Sequence, residues 1–269
     1  MAHTGTPADA GVPSLSLKNV EKAFGQVRAL SCVNLDAHEG EIHFVVGDNG
    51  AGKSTTLKIL AGMYSADAGE IALNGTVVRF ADASEAKAQG IAVVHQDLAL
   101  VECLDVATNM SLGAIPTRGG FMLDRKAMER EAEAVLADLK IRVGSVRTQI
   151  GLLSGGERQI VAIARAVRMN LPIILLDEPT AALGVRETAH VGDILRELRL
   201  KGKTIICISH DLQFVFQHAD KVTVMRLGRS VATLTKDQAR HDDVVGLITG
   251  SMDPSRGETT TGGETTDVR

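Results

Sequence analysis

Two glycine-rich segments of this sequence have the composition of helix starts that bind anions. The first has the spacing G-x-x-x-x-G-K-[ST] and lies between an apolar predicted strand and a predicted helix. Its backbone N–H groups could close around phosphates, Lys53 could reach the β- and γ-phosphates, and Ser54 could bind Mg²⁺. We therefore predict a nucleotide site formed by Gly47, Asp48, Asn49, Gly50, Ala51, Gly52, Lys53, Ser54 and Thr55.

The second segment, Ser154-Gly155-Gly156, also precedes a predicted helix but has no lysine for a nucleotide. Taken alone, it is more simply interpreted as a loop. Its hydroxyl, its exposed backbone N–H groups and its position ahead of Asp177 favour a second anion site. A phosphate site without its own nucleotide suggests that it serves a nucleotide held by another copy of the chain.

Two acidic residues, Asp177 and Glu178, end the apolar strand predicted at Leu171–Leu176. An ionised carboxylate there is costly without a positive partner, and Mg²⁺ beside the phosphate loop would supply one. In extended backbone the adjacent side chain projects the opposite way. We therefore assign Asp177 to the metal and Glu178 to the attacking water; the alternative is a pair of solvated carboxylates.

Three further side chains are candidates for the same site. Gln96 and His210 each follow an apolar strand, at the sheet edge where open α/β folds bind ligands. We predict that Gln96 senses Mg²⁺ or water and that His210 contacts the γ-phosphate, although a lone residue of either type is more often structural. Phe24 could stack on adenine or simply pack.

The elements that would position these residues alternate between strands and helices over residues 14–250. Glu41–Val46, Leu171–Leu176 and Thr204–Ser209 are almost continuously apolar, as parallel strands covered on both faces are. Asn74-Gly75 predicts a hairpin turn, and Asp124 a helix cap. We predict an α/β fold: a P-loop NTPase parallel-sheet core with an antiparallel β subdomain and an inserted α-helical subdomain at about 97–168.

The composition of the chain bears on whether it binds nucleic acid or a metal and whether it spans a membrane. The net charge of −4 and the pI of about 6.1 give no electrostatic argument for a nucleic-acid partner. The three cysteines show no metal-ligand spacing. No apolar stretch approaches the ~18 residues of a membrane span, and no signal peptide is evident. We expect a soluble cytoplasmic chain with disordered ends at 1–13 and 251–269, and a membrane role only through a partner.

Together these residues resemble the ATP-binding subunits of ABC transporters over about residues 14–250. Gly47–Ser54 looks like the Walker A motif, Ile173–Asp177 the Walker B strand, Gln96 the Q-loop and His210 the switch histidine. The ABC signature, which separates this family from other P-loop proteins, corresponds to Leu153, Ser154, Gly155, Gly156 and Glu157.

The resemblance implies ATP and Mg²⁺ as cofactors, and a head-to-tail dimer in which each ATP lies between one Walker A motif and the partner's signature. It also implies a membrane permease bound to the helical subdomain near the Q-loop. Metal contacts are expected from Ser54, Gln96 and Asp177, and catalytic roles from Glu178, His210 and Gln96.

Within the family, Val146–Leu153 and Glu178–Val185 are similar to the monosaccharide importers of the ribose, xylose and fructose type. This implies sugar import, with an external sugar-binding protein as an indirect partner and a location on the inner face of the membrane. Many relatives in that branch carry two fused ATPase domains, whereas this chain has one, so it should form a homodimer. It also departs from the wider family in having Gly184 where the D-loop aspartate is common.

Other functions remain as alternatives. The chain could serve an ABC system with another substrate or an exporter, or it could be a soluble ABC ATPase that transports nothing. DNA-repair relatives carry a long coiled coil before the signature, whereas only a compact segment separates Gln96 from Ser154.

Overall fold

The computed structural model describes residues 11–141 and 143–252. The predicted disordered ends therefore lie mostly outside the described residues, although Ser251 and Met252 contact the last helix. In chain order the elements are β1 (Leu15–Phe24), β2 (Val27–Ala37), β3 (Ile42–Val46), α1 (Lys53–Leu60), β4 (Ala68–Leu73), β5 (Thr76–Val78), α2 (Ala83–Ala88), β6 (Ile91–Val94), α3 (Val106–Ser111), β7 (Thr117–Arg118), β8 (Met122–Leu123), α4 (Arg125–Asp138), α5 (Gly155–Arg168), β9 (Ile173–Asp177), α6 (Val185–Leu200), β10 (Thr204–Ile208), α7 (Leu212–His218), β11 (Lys221–Arg226), β12 (Arg229–Thr235) and α8 (His241–Thr249).

A ten-stranded sheet forms the centre of the described chain, in the order β5-β4-β1-β2-β12-β11-β3-β10-β9-β6. Strands β11, β3, β10, β9 and β6 run parallel to one another. Every residue of β3, β9 and β10 is buried, because helices cover both faces of this part of the sheet. Phe44 and Val46 pack in one apolar cluster and Val45 in the other. The predicted α/β fold is confirmed.

The antiparallel part of the sheet is formed by β1, β2, β4 and β5. Asn74 and Gly75, between β4 and β5, have φ angles of 48° and 79°. Two successive positive φ angles match the twist of a two-residue hairpin, and asparagine and glycine tolerate them best. The predicted hairpin is confirmed.

Helices α3, α4 and α5 pack on one another between β6 and β9, within the range predicted for the helical subdomain. The carboxylate of Asp124 accepts the N–H of Ala127 at 2.9 Å and caps α4, as predicted. The two-stranded hairpin β7–β8, which precedes α4, was not predicted. None of the helices in residues 11–141 and 143–252 is long and apolar enough to span a bilayer.

Candidate active site

The phosphate loop connects the end of β3 to the start of α1. Gly52 has φ +100°, and a Cβ there would lie 2.9 Å from the Ala29 carbonyl oxygen, so the loop needs glycine at this position. Lys53 is buried, and its Nζ donates to the carbonyl oxygens of Gly47 at 2.7 Å and Asp48 at 2.9 Å. Burial lowers the pKa of Lys53, against the opposing field of nearby carboxylates. The ammonium group is thus held inside the loop, next to the helix N-terminus.

A cavity of about 490 Å³ opens beside this loop, where β6, β9 and β10 end. It joins residues from four separate parts of the sequence that were predicted to meet. The predicted residues on its wall are Asn49, Gly50, Gly52, Lys53, Ser54, Thr55, Gln96, Glu178 and His210. The parallel sheet thereby gathers the polar strand ends around the phosphate loop, as ligand sites in open α/β folds are arranged.

Asp177 provides the test of whether this site suits a divalent cation. Its side chain is buried at the end of β9, and its Oδ1 has no hydrogen-bond partner among the described residues. Burial raises the pKa of the Asp177 carboxyl, and the neighbouring Glu178 raises it further. A buried carboxylate oxygen without a partner favours a nearby positive charge. Ser54 and Gln96 line the 490 Å³ cavity and Asp177 does not, but all three side chains carry the oxygen ligands that Mg²⁺ prefers.

The backbone at Glu178 differs from our prediction. We expected extended backbone to turn its side chain away from that of Asp177, but β9 ends at Asp177 and Glu178 has φ +51°. The N–H of Glu178 donates to the Ile208 carbonyl oxygen at 3.0 Å, which fixes this bend against β10. Glu178 Oε2 then lies 2.7 Å from His210 Nδ1 and accepts the His210 N–H at 3.3 Å. The bend therefore pairs Glu178 with His210 at the cavity wall.

Phe24 does not line this cavity. Its ring is partly exposed and packs edge-on against Tyr64, with ring centroids 5.1 Å apart. The adjacent wall is instead formed by Val27, Arg28 and Ala29 at the start of β2. Sequence reasoning missed these three, because no motif marks them; their only signal is that they follow the turn at Gly25.

The second glycine-rich segment begins α5 and lies at a different cavity. Ser154 is the N-cap: its Oγ accepts the Glu157 N–H at 3.3 Å, while the Glu157 carboxylate accepts the Ser154 N–H at 2.8 Å. This reciprocal pair is a capping box, and it fixes the turn before the helix. Ser154 and Glu157 line a cavity of about 410 Å³ that shares no lining residue with the phosphate-loop cavity.

Comparison with known proteins places this arrangement in a family. The family model described as ABC transporter matches residues 30–181. This chain belongs to the ABC transporter family. Fructose import ATP-binding protein FrcA of Rhizobium meliloti is 39% identical over 251 residues, which cover 91% of this chain and 96% of that protein. Ribose import ATP-binding protein RbsA 3 of Rhizobium meliloti (strain 1021) is 38% identical, and the match covers 94% of this chain but 50% of the relative.

Solved structures agree with this assignment. A nucleotide-free ATP-binding cassette from an ABC transporter superposes with a TM-score of 0.74 at 26% identity, covering 90% of this chain and 96% of that one. A cassette in a dimeric post-hydrolysis state bound to ADP and Pi gives a TM-score of 0.71 at 28% identity, covering 82% of this chain and 98% of that one. The chain is therefore an ABC ATPase with a nucleotide-binding cassette.

This ABC ATPase has the start of a helix at each of two separate cavities. Lys53 and the N-terminus of α1 offer positive charge at the first, where the Glu178 carboxylate is paired with His210. At the second place the N–H and the hydroxyl of Ser154 both donate to the Glu157 carboxylate, so the donors left for an anion are backbone N–H groups at the start of α5. The wall of this cavity carries Arg186 but no lysine. Lys53 lines only the first cavity and Ser154 lines only the second.

Proposed function

We propose that this chain is the ATP-hydrolysing subunit of an ABC importer that powers uptake of a monosaccharide through a separate membrane permease. The observation that carries the ATPase part is the convergence of Lys53, Ser54, Gln96, Glu178 and His210 at one cavity. The import part rests on the 39% identity, over nearly the full length of both chains, to a fructose import ATP-binding protein.

Each part of the site would have a separate role in ATP hydrolysis. The loop Gly47–Ser54 and Thr55 would hold the triphosphate, with Lys53 leaving its two carbonyl partners for the β- and γ-phosphates. Ser54, Gln96 and Asp177 would hold Mg²⁺, which when bound neutralises charge on the phosphates. Glu178 would orient or deprotonate the attacking water, and His210 would contact the γ-phosphate. Arg28 lines the cavity and is a candidate for the adenine contact. Phe24, which does not line the cavity but has a partly exposed ring, stays a second candidate.

The separation of the two cavities supports a dimer of this chain. In a head-to-tail pair, Leu153–Glu157 of each copy would close over the ATP bound at Lys53 of the other. Binding would bring the copies together and hydrolysis would release them. That motion would drive a permease docked at the helical subdomain, with a sugar-binding protein delivering the substrate. The chain would then work in the cytoplasm, on the inner face of the cell membrane.

Sugar uptake in the source organism tests the import assignment. Cells lacking this chain should lose uptake of one radiolabelled monosaccharide among ribose, xylose, fructose and galactose. The unsubstituted chain should restore that uptake, and the Glu178→Gln chain, expressed to the same level, should not. Unchanged uptake of all four sugars in the deleted strain, with Mg²⁺-dependent ATP hydrolysis by the purified chain intact, would overturn sugar import and leave the ATPase assignment standing.

A further inference from the structure

Glu187 lies between the signature turn and the loop that follows Glu178. It is the third residue of α6, whose N-cap is Gly184. A Cβ added at Gly184 would lie 2.6 Å from Glu187 Oε2, and a Cβ added at Gly156 would lie 2.4 Å from Glu187 Cγ. Two glycines from distant parts of the chain therefore leave room for the same side chain.

The contact at Gly156 is the tighter of the two. An added Cβ there would also lie 3.1 Å from Glu187 Cβ, which no side-chain rotation of Glu187 can move away. The adjacent Gly155 is different, because a Cβ there would meet nothing within 4 Å. At Gly184 the nearest atom is the end of a flexible side chain. Glycine is thus required sterically at position 156, is unconstrained by packing at 155, and gives space to a carboxylate at 184.

The carboxylate of Glu187 makes no hydrogen bond or ion pair with any residue in the described part of the chain, and it faces the 410 Å³ cavity beside Ser154. It occupies the space that a side chain at position 184 would fill, where the wider family has an aspartate. Its stem meanwhile packs against the helix start at Gly156. One side chain therefore joins the loop of residues 178–184 to the signature turn.

We propose that Glu187 is a positioning residue for the shared ATP site. By filling the space between Gly156 and Gly184 it fixes the signature turn relative to the loop that begins at Glu178, so that both meet the partner subunit in one arrangement. This role rests on the proposed function, because the nucleotide that the signature turn serves is the one held by the partner.

Thermal unfolding of the nucleotide-free full-length chain tests the packing. Gly156→Ala should lower the Tm by roughly 5 °C, because the new methyl group must displace α6. The same substitution in a Glu187→Ala background should cost less than about half of that shift, since Cγ is gone. Gly155→Ala, the matched control for helix propensity, should shift the Tm by less than about 2 °C. If Gly156→Ala lowered the Tm equally with Glu187 and with Ala at position 187, the proposed contact would be overturned.

Steady-state ATP hydrolysis tests the positioning role. Glu187→Ala should lower kcat about tenfold, while the affinity of the chain for a fluorescent ATP analogue stays within about twofold, because the phosphate-loop cavity is separate. Glu187→Gln keeps the shape and the stem contact and should stay within about threefold of the unsubstituted kcat. A Glu187→Ala chain with unchanged kcat would overturn the role. Absence of hydrolysis in the unsubstituted chain would instead overturn the proposed function, whatever the Tm values showed.

Discussion

At the residue scale, neither Lys53 nor Asp177 forms an ion pair with a residue in the described part of the chain. Lys53 is buried against two backbone carbonyls, and Asp177 presents a buried oxygen that has no partner among the described residues. Glu178 is turned toward His210 by a left-handed bend. A triphosphate with Mg²⁺ would bring negative charge to Lys53 and positive charge to Asp177, so its charges are complementary to those of the site.

Glu178→Gln should separate ATP binding from ATP hydrolysis. The amide keeps the shape of the side chain but cannot take a proton from water, so turnover should fall by at least about 100-fold while ATP binding persists. Size-exclusion chromatography with ATP should show a trapped dimer, and phosphate release measures turnover. Glu70→Gln, at an exposed position of β4, is the control and should hydrolyse normally. Undiminished hydrolysis by Glu178→Gln would remove Glu178 from the role of base.

Residue types and spacing predicted most of the residues that meet at the cavity, because a phosphate loop and strand-end polar groups carry their chemistry locally. The backbone bend at Glu178 could not be predicted, since it is imposed by a hydrogen bond to Ile208 on a neighbouring strand. Arg28 was missed for a similar reason: only the tertiary fold brings the start of β2 to the phosphate loop.

At the element scale, α5 links the signature turn to the segment that follows Gln96. The guanidinium group of Arg165, on α5, donates to the carbonyl oxygens of Leu98 at 2.7 Å and Ala99 at 2.8 Å. Ala99 has φ +47°, and the two hydrogen bonds from Arg165 help to stabilise this left-handed conformation. Helix α5, which starts at the predicted second phosphate site, is thus hydrogen-bonded to the loop after Gln96, a predicted metal ligand of the first site.

Arg165→Ala should destabilise the chain by about 1.5–3 kcal/mol, because two carbonyl groups lose a charged donor. Urea unfolding of the nucleotide-free protein measures the change. Arg196→Ala is the matched control: Arg196 is also on a helix, but its ion pair with Asp193 is exposed on both sides, so its loss should cost less than about 0.5 kcal/mol. A similar loss of unfolding free energy in the two variants would show that the Arg165 hydrogen bonds stabilise the fold no more than an exposed ion pair does.

A buried histidine makes the packing of β3 on β11 sensitive to pH. His43 is fully buried, its Nε2 lies 2.7 Å from Thr223 Oγ1, and its Nδ1 lies 3.0 Å from Glu41. Burial lowers the pKa of His43 below its usual 6.5, although Glu41 opposes this and Lys221 adds to it. The folded chain thus keeps the ring neutral at a pH where the unfolded chain protonates it. The free energy of unfolding should therefore fall as the pH drops below about 6.5.

Urea unfolding at about pH 7.5 and about pH 5.5 measures this loss. His43→Gln, which can still hydrogen-bond to Thr223, should reduce the slope by up to about 1.4 kcal/mol per pH unit. The exposed His241 provides the control, and His241→Gln should leave the slope unchanged. Because burial also lowers the pKa of His95 and His218, some slope should remain in His43→Gln. An unaltered slope in His43→Gln would contradict the prediction.

The central strands could be predicted from the sequence because burial on both faces leaves a continuous apolar run. The hairpin of β11 and β12 could not, although β11 is central to the sheet. Its turn, Leu227-Gly228, has φ angles of 49° and 77°, like those of Asn74-Gly75, but leucine gives no turn signal. Tertiary pairing imposes the conformation there, whereas at Asn74 local preference and pairing agree.

At the scale of the whole molecule, the two helix starts predicted to bind phosphate line separate cavities of one chain. If each site is shared between two copies, two different inactive chains can complement one another. Lys53→Ala removes the phosphate contact from one copy, and Ser154→Arg blocks the signature turn of the other. A mixed dimer then contains one intact composite site and one doubly damaged site.

Mixing the Lys53→Ala and Ser154→Arg chains in equal amounts should therefore restore ATP hydrolysis. Statistical pairing makes half of the dimers mixed, so up to about a quarter of the unsubstituted activity should return. Each variant alone should be inactive, and Ser154→Arg should still bind a fluorescent ATP analogue as a monomer. Mixed dimers that form, as shown by differently tagged chains, but hydrolyse no ATP would count against shared sites.

The Lys53 ammonium group donates to two carbonyl oxygens of its own phosphate loop, so the loop itself supplies partners for this cation. When a nucleotide binds, its phosphate oxygens would therefore replace these two peptide oxygens around Lys53 Nζ. The ammonium group would then have hydrogen-bond acceptors both with and without nucleotide. Any substitution of Lys53 alters both states together. A weaker ATP affinity in a Lys53 variant therefore reports the difference between these two sets of contacts, so the free energy of unfolding without nucleotide has to be measured as well.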